Sequence, residues 1–167
     1  MEQQTLFDLN EKESETKKIS DEIRKLVCKL ADIQLEKEWS TPVRLDNSRK
    51  AIRFSEGNRK LVTGLYVITH DDKPMYIGMG NLQTRKNLHT MIFRSAGVPH
   101  MKTSVTDSPC ARKMYNYDPK LQNWKISFLV IDSTIDRSVR DAVMKEMEAR
   151  LIENLKPLFC TEHMAGK

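Results

Sequence analysis

Residues 61–78, which read LVTGLYVITHDDKPMYIG, decide the fold that we predict for this chain. Two stretches rich in β-branched and aromatic residues, 61–69 and 75–78, are separated by His-Asp-Asp-Lys-Pro, a set of residue types that favours a turn. This pattern predicts a β-hairpin, and the rest of the chain can be assigned around it.

On either side of the hairpin the sequence predicts helices and one more long strand. Residues 1 to about 15 are predicted to be disordered, and 16–38 carry apolar residues at helical spacing. The pattern is helical again from Gly78 to about Arg94, and a long loop then leads to a short helix that opens at Ser108-Pro109. Residues 124–131, WKISFLVI, predict a strand, and Asp136 is a candidate N-cap for a last helix that ends near Pro157. The order predicts an α+β fold.

Composition limits the class of protein. The chain has 167 residues, of which 39% are hydrophobic and 31% charged, as expected for one globular domain. The sequence contains neither a run of apolar residues long enough to span a membrane nor a secretion signal, so we expect a cytoplasmic protein that does not contact membranes. Its three cysteines fit free thiols better than disulfides. Cys160 and His163 form a C-x-x-H pair, but the absence of a second pair argues against a zinc site.

The distribution of charge favours a polyanionic partner. Residues 1–16 hold five acids and one lysine, a net charge of −4, so the total of +5 leaves +9 on the rest of the chain. Bases are concentrated in 41–60, where a short strand around Ile52 and Phe54 is also predicted, and in an insert at about 95–125. The candidate DNA-binding residues in these two segments are Arg44, Arg49, Lys50, Arg53, Lys102, Arg112 and Lys113.

Two charged residues on the helix after the hairpin lie where an amphipathic helix would carry apolar ones. When each residue advances by about 100°, Arg85 and His89 fall between Ile92 and Leu82, inside the arc of the apolar side chains. A buried guanidinium needs an anion or several acceptors, because an unpaired buried charge is costly. An internal ion pair for Arg85 and a hydrogen-bonded core histidine for His89 are the structural alternatives to a functional site.

The last helix carries a comparable acid. Glu148 falls between Ile152 and Leu155 and borders the core, whereas Glu146 and Glu153 are predicted to face water. Glu148 could therefore pair with Arg85 or bind a hard cation.

Taken together, these residues resemble a known family. The matching residues are Gly64-Leu65-Tyr66, then Tyr76-Ile77-Gly78 after a gap of nine residues, Arg85, His89 and Glu148, followed by a Leu-Lys-Pro-Leu-Phe ending at 155–159. Over residues 61–160 the sequence resembles the GIY-YIG nucleases, and it is most similar to their small stand-alone type II restriction endonucleases. The resemblance implies a small three-stranded antiparallel sheet flanked by helices, with residues 1–60 as an N-terminal extension to a nuclease core at 61–167.

The resemblance also implies roles for individual residues. Tyr66 would contact the attacking water with the support of Tyr76, Arg85 would bind the scissile phosphate, and Glu148 would be the one protein ligand of a Mg²⁺ or Mn²⁺ ion. His89 would lie near the nucleophile. A tyrosine with an ordinary pKa of about 10 is a poor base at neutral pH, so Tyr66, His89 and Lys73 all remain candidates for the general base.

One position departs from the family pattern. Cys160 stands where the family commonly has asparagine, and we expect a thiol not to replace the donor and acceptor of an amide. The resemblance predicts a site-specific endonuclease that cuts double-stranded DNA as a homodimer. The alternatives are a structure- or lesion-directed nuclease that acts in repair or mobile-element biology, and a non-catalytic DNA-binding module.

Overall fold

The computed structural model describes residues 2–45, 62–82, 84–85 and 109–160. In chain order its elements are helix α1 (Glu2–Leu35), strands β1 (Val43–Arg44), β2 (Thr63–His70) and β3 (Lys73–Asn81), helix α2 (Pro109–Tyr117), a 3-10 turn (Leu121–Asn123), strand β4 (Trp124–Val130) and helix α3 (Arg137–Leu155). The predicted α+β class is confirmed.

The sheet is antiparallel and has four strands in the order β1-β4-β2-β3, so the prediction of three strands is wrong. The additional strand is β1, in which Val43 and Arg44 pair with Ile126 and Lys125 of β4. Two residues are too short to show the alternation by which strands are recognised in a sequence. The strand predicted around Ile52 and Phe54 lies outside the described residues.

The predicted hairpin is present, with a tighter turn than expected. Asp71 and Asp72 form the turn with φ angles of 49° and 59°, a left-handed conformation that aspartate tolerates and that suits a two-residue hairpin loop. Strand β3 therefore begins at Lys73 and includes Pro74, which an edge strand can accommodate because one side of its backbone is unpaired.

Helices cover both faces of the sheet. One face carries Tyr66, Ile68, Trp124, Ile126 and Phe128, which form a core with Cys110 and Met114 of α2. On the opposite face, Leu65 and Leu129 pack against Ala31 of α1 and against Val143 and Met147 of α3. The period of two along each strand thus sends successive side chains to different helices.

Helix α1 begins at Glu2, so the prediction of disorder in the first 15 residues is wrong. This stretch contains no glycine or proline and is rich in Glu, Gln and Leu, which favour helices despite the low hydrophobicity. Arg150 of α3 joins the two helices through an ion pair with Asp32, and it also pairs with Glu146 of its own helix, at 2.8 Å from Nε to Oε1. The Glu146 carboxylate in turn accepts a hydrogen bond of 3.7 Å from the Cys28 thiol of α1. Glu146 therefore lies between the helices and does not face water as predicted. Since Ala31 of α1 and Leu45, which follows β1, belong to the core, this part of the chain forms one unit with the sheet.

The remaining helix boundaries agree with the sequence. The Asp136 carboxylate accepts a hydrogen bond of 2.9 Å from the Ser138 N–H at the start of α3, and the helix ends at Lys156, with a φ of 46°, before Pro157. Helix α2 begins at Pro109, as predicted, while its predicted cap Ser108 lies outside the described residues. Within the described ranges, none of the helices is long and apolar enough to cross a membrane.

Candidate active site at the edge of the sheet

The candidate site lies along β3, the edge strand. The chain that follows α3 runs beside this edge, where the Phe159 N–H donates a hydrogen bond of 2.8 Å to the Met75 carbonyl. Tyr76 is therefore held in a short stretch of backbone that is paired with β2 on one side and with the end of α3 on the other.

The two tyrosines of the predicted motif meet at this edge. Tyr66 in β2 is 2% exposed, Tyr76 in β3 is half-buried, and their ring centroids are 6.0 Å apart. A hydrogen bond joins the two phenols and is one of the smaller contributions to the raised pKa of Tyr66.

Burial keeps both phenols protonated. It is the largest cause that raises the pKa of Tyr66 far above its ordinary range, and the charge of Arg85 only partly opposes this effect. Burial also raises the pKa of Tyr76 to about 12, with a further contribution from the negative charge of Glu148. At neutral pH the pair can therefore donate and accept hydrogen bonds as neutral groups.

Glycines in β3 make room for the polar side chains. Gly78 is the cross-strand partner of Tyr66, and a β-carbon at Gly78 would overlap the Tyr66 hydroxyl. Gly80 has a φ of 132°, and a β-carbon there would lie 3.1 Å from Nε of Arg85. Gly80 is thus favoured over other residues by its backbone conformation and by the short distance that a β-carbon would have to the Arg85 guanidinium.

Arg85 approaches the tyrosines from the surface. The Asn81 side-chain oxygen accepts a hydrogen bond of 3.0 Å from the Thr84 N–H, and Leu82, Thr84 and Arg85 have helical backbone. The Arg85 side chain is exposed and crosses Gly80, so the expectation that it faces the core is wrong. Its charge acts on Tyr66, because it lowers the pKa of that buried phenol.

Glu148 reaches the same edge from α3. Its side chain is half-buried, in agreement with the predicted position at the border of the core. The charge of Glu148 contributes to the raised pKa values of Tyr76 and Cys160, and because such effects fall with distance, Glu148 lies close to both.

Cys160 supplies both a hydrogen-bond donor and an acceptor at the position where we expected asparagine. Its Sγ accepts a hydrogen bond of 3.3 Å from the Ile77 N–H and donates one of 3.5 Å to the Ile77 carbonyl. Burial raises the pKa of this thiol, which keeps it protonated and able to donate. The expectation that a thiol could not supply a donor and an acceptor is therefore wrong, and the contact fixes the residue next to Tyr76.

The remaining predicted residues fall into three groups. Lys73 pairs with His70 at the turn, about 17 Å along β3 from the position opposite Tyr66, so the fold separates Lys73 from Tyr66. Arg112 and Lys113 lie on α2, and the charge of Lys113 lowers the pKa of the Cys110 and Cys160 thiols, against the larger effect of burial. Arg44 lies in β1, at the other edge of the sheet. His89, Arg49, Lys50, Arg53 and Lys102 lie outside the described residues.

The donor set at this edge fits a hard cation that keeps most of its own water. Within the described ranges, no group of three or more His, Cys, Asp or Glu side chains could hold a metal ion. A single carboxylate beside neutral phenols suits Mg²⁺, which often binds proteins through one or two carboxylates and several waters.

Sequence reasoning missed Gly80 and the role of Cys160. Gly80 follows the motif glycine by two residues, and that spacing along one strand face was the available signal. Comparisons with protein-family models, with curated proteins and with solved structures gave no match.

Proposed function

We propose that this protein is a divalent-metal-dependent endonuclease of the GIY-YIG type that hydrolyses phosphodiester bonds in DNA. The proposal rests on four polar side chains that are far apart in the sequence and interact at one edge of the sheet. Tyr66 interacts with Tyr76 and with Arg85, and Tyr76 interacts with Glu148. A structural domain has no need to collect two phenols, a guanidinium and a carboxylate at this position.

Arg85 suits the binding of the scissile phosphate. Its guanidinium is exposed to solvent, so a large anion can reach it, yet its Nε side packs against Gly80. Charge develops on the phosphoryl oxygens during hydrolysis, and a guanidinium held in place stabilises that charge more strongly than one that must reorganise.

Tyr66 suits the positioning of the attacking water rather than the removal of its proton. The raised pKa makes phenolate unfavourable, whereas a neutral hydroxyl can position a water by a hydrogen bond without taking its proton. Since Lys73 lies at the far end of the hairpin, His89 or a second water is the better candidate for the general base.

Glu148 is the residue that would hold Mg²⁺ or Mn²⁺, one ion per site, and such an ion would neutralise charge on the phosphate and lower the pKa of a bound water. We further propose double-stranded DNA as substrate, with cleavage at a specific site by a homodimer, as in a restriction endonuclease.

The decisive experiment is incubation of the purified chain with a long DNA of known sequence and Mg²⁺, followed by sequencing of the fragment ends. We expect discrete fragments that share a short end sequence. Glu148→Gln should abolish cleavage while DNA binding persists, and Glu153→Gln, which changes an exposed glutamate on the same helix, is the matched control.

Arg85→Ala tests the phosphate-binding role separately. We expect cleavage to fall by two to three orders of magnitude, roughly the effect of removing one preorganised donor, whereas Arg137→Ala at the start of α3 should cut normally. Nicks without a common sequence would favour a structure- or lesion-directed nuclease. DNA that binds but stays intact with every metal tested would contradict the proposal and favour a non-catalytic binding module.

A further inference from the structure

Helix α1 is much longer than the surface that it covers. Its 34 residues span about 51 Å, whereas the 19 residues of α3 span about 28 Å. All side chains from 15 to 26 are exposed, and burial begins only with Val27, Ala31 and Gln34. An isolated helix of this kind is marginally stable in water, so the exposed part needs a packing partner.

The exposed part carries an apolar stripe. Ile19, Ile23, Leu26 and Ile33 are between 48% and 58% exposed, and with the half-buried Leu30 they follow alternating steps of four and three residues. These five side chains fall within an arc of about 80° and extend about 21 Å along the axis. This is the heptad spacing of a coiled coil, and we call these five residues the α1 seam.

Most of the α1 seam lies off the face by which α1 packs on its own domain. Ala31 points roughly 120° away from the middle of the seam, towards α3, and Arg150 contacts α1 through Asp32. Leu30 also packs against this core, whereas Ile19, Ile23, Leu26 and Ile33 are about half exposed, and the described elements leave these four side chains open to solvent.

We infer that the α1 seam binds the α1 seam of a second copy of this chain, with the two helices antiparallel. When Ile23 lies opposite Leu26 of the second copy, Ile19 lies opposite Leu30, and Glu22 is beside Lys29 of the second copy. By the twofold symmetry Lys29 is then beside Glu22, so the pairing gives two complementary contacts between exposed side chains.

Charge along the whole helix favours the same orientation. Residues 2–15 contain five acids and one base, a net charge of −4, and 16–29 contain five bases and two acids, a net charge of +3. Parallel helices would align both segments like against like, whereas the antiparallel register separates the two acidic segments and leaves only the basic segments partly beside each other. In a parallel pair Glu22 would face Val27 of the second copy and gain no partner.

Sedimentation of the full chain tests the interface without reference to nuclease activity. We expect a dimer, and Ile23→Gln with Leu26→Gln should raise its dissociation constant more than about hundredfold, because four apolar side chains leave the interface. Lys18→Gln with Lys25→Gln adds the same two residues to exposed positions outside the seam and should leave the dimer intact. A monomeric wild type, or a dimer that the seam variant leaves unchanged, would overturn the inference.

Two further variants test the orientation. Glu22→Lys should weaken the dimer by roughly tenfold, and Glu22→Lys with Lys29→Glu should restore it, because the contacts are exchanged rather than lost. When Ile23→Cys and Leu26→Cys chains of different mass are mixed and oxidised, antiparallel helices give the mixed disulfide. Predominant disulfides between identical chains would instead show a parallel pair and refute the arrangement.

Discussion

Burial of Tyr66 determines what its hydroxyl can contribute. A phenol that is 2% exposed loses most of its favourable hydration when it ionises, and this loss outweighs the nearby positive charge of Arg85. The neutral hydroxyl has one donor and two acceptor positions, so it can hydrogen-bond in either direction without a change of charge.

The raised pKa values predict a loss of stability at alkaline pH. The pKa of Tyr76 is about 12 in the folded protein and about 10 in the unfolded chain, so folding favours the protonated form. The contribution of Tyr76 to the free energy of unfolding is therefore complete below about pH 10, and it is lost as the pH rises towards 12. In urea unfolding, Tyr76→Phe should therefore show a smaller fall in the free energy of unfolding over this range than the wild type does. An equal fall in both would contradict the assignment, and Tyr117→Phe, which removes an exposed phenol, is the control.

Cys160 should influence catalysis through the backbone of β3. Cys160→Ala removes both hydrogen bonds to Ile77, and a shift of Tyr76 by even a fraction of an ångström should reduce cleavage by roughly tenfold or more. Cys160→Asn supplies a donor and an acceptor on the same side chain and should cleave within about threefold of the wild type. Cleavage rates at saturating DNA are the measurement. Equal rates for the two variants would mean that the thiol only fills space.

Among the elements, the hairpin turn is tied to the end of α2 by a polar contact. His70 Nε2 lies 2.7 Å from Oδ2 of Asp118, and the same oxygen accepts a hydrogen bond from Asn123 Nδ2. The other carboxylate oxygen, Oδ1, accepts one from the Lys120 N–H. These contacts, with that of His70 the largest, lower the pKa of Asp118 to about 2. The histidine ring also packs edge-on against Trp124, at 4.8 Å between centroids.

This contact predicts how stability depends on acid. The pKa of Asp118 is lower in the folded protein than the roughly 3.9 of an unfolded chain, so its contribution is present above about pH 4 and is lost as the pH falls towards 2. Asp118→Asn should lower Tm by roughly 2–6 °C at pH 7, and the difference should shrink towards pH 2. Thermal melts of both proteins over this range provide the test, and a difference that stays constant with pH would contradict it.

The elements that the sequence predicted correctly are those with strong local signals. The hairpin and α3 combine a clear periodicity with turn residues or a capping residue, as at Asp136. Strand β1 has no local signal, because two residues form a strand only through pairing with β4. Helical spacing predicted the position of Glu148 but not those of Arg85 and Glu146, because it assigns a side chain only to a face of its own helix. Arg85 crosses Gly80 and Glu146 contacts Cys28 of α1, and neither contact has a signal in the local sequence.

At the scale of the whole molecule, three layers leave one edge of the sheet available for chemistry. Helix α2 covers one face, α1 and α3 cover the other, and β1 closes the edge formed by β4. Strand β3 forms the opposite edge, where side chains from β2, β3 and α3 can meet. The bases Arg112 and Lys113 on α2 lie on the face that carries Tyr66, so DNA bound at the site would pass over them.

This layout predicts how DNA binding depends on salt. Each phosphate contact releases counterions, so the affinity of the catalytically inactive Glu148→Gln protein should fall steeply as salt rises, with a slope near −0.9 for each contact on a logarithmic plot. Arg112→Gln in that background should weaken binding to every sequence alike and reduce the slope by about one. Lys25→Gln on α1 removes the same charge far from β3 and should leave the slope unchanged. Titrations at several salt concentrations measure all three, and equal slopes for the two variants would place the DNA on another surface.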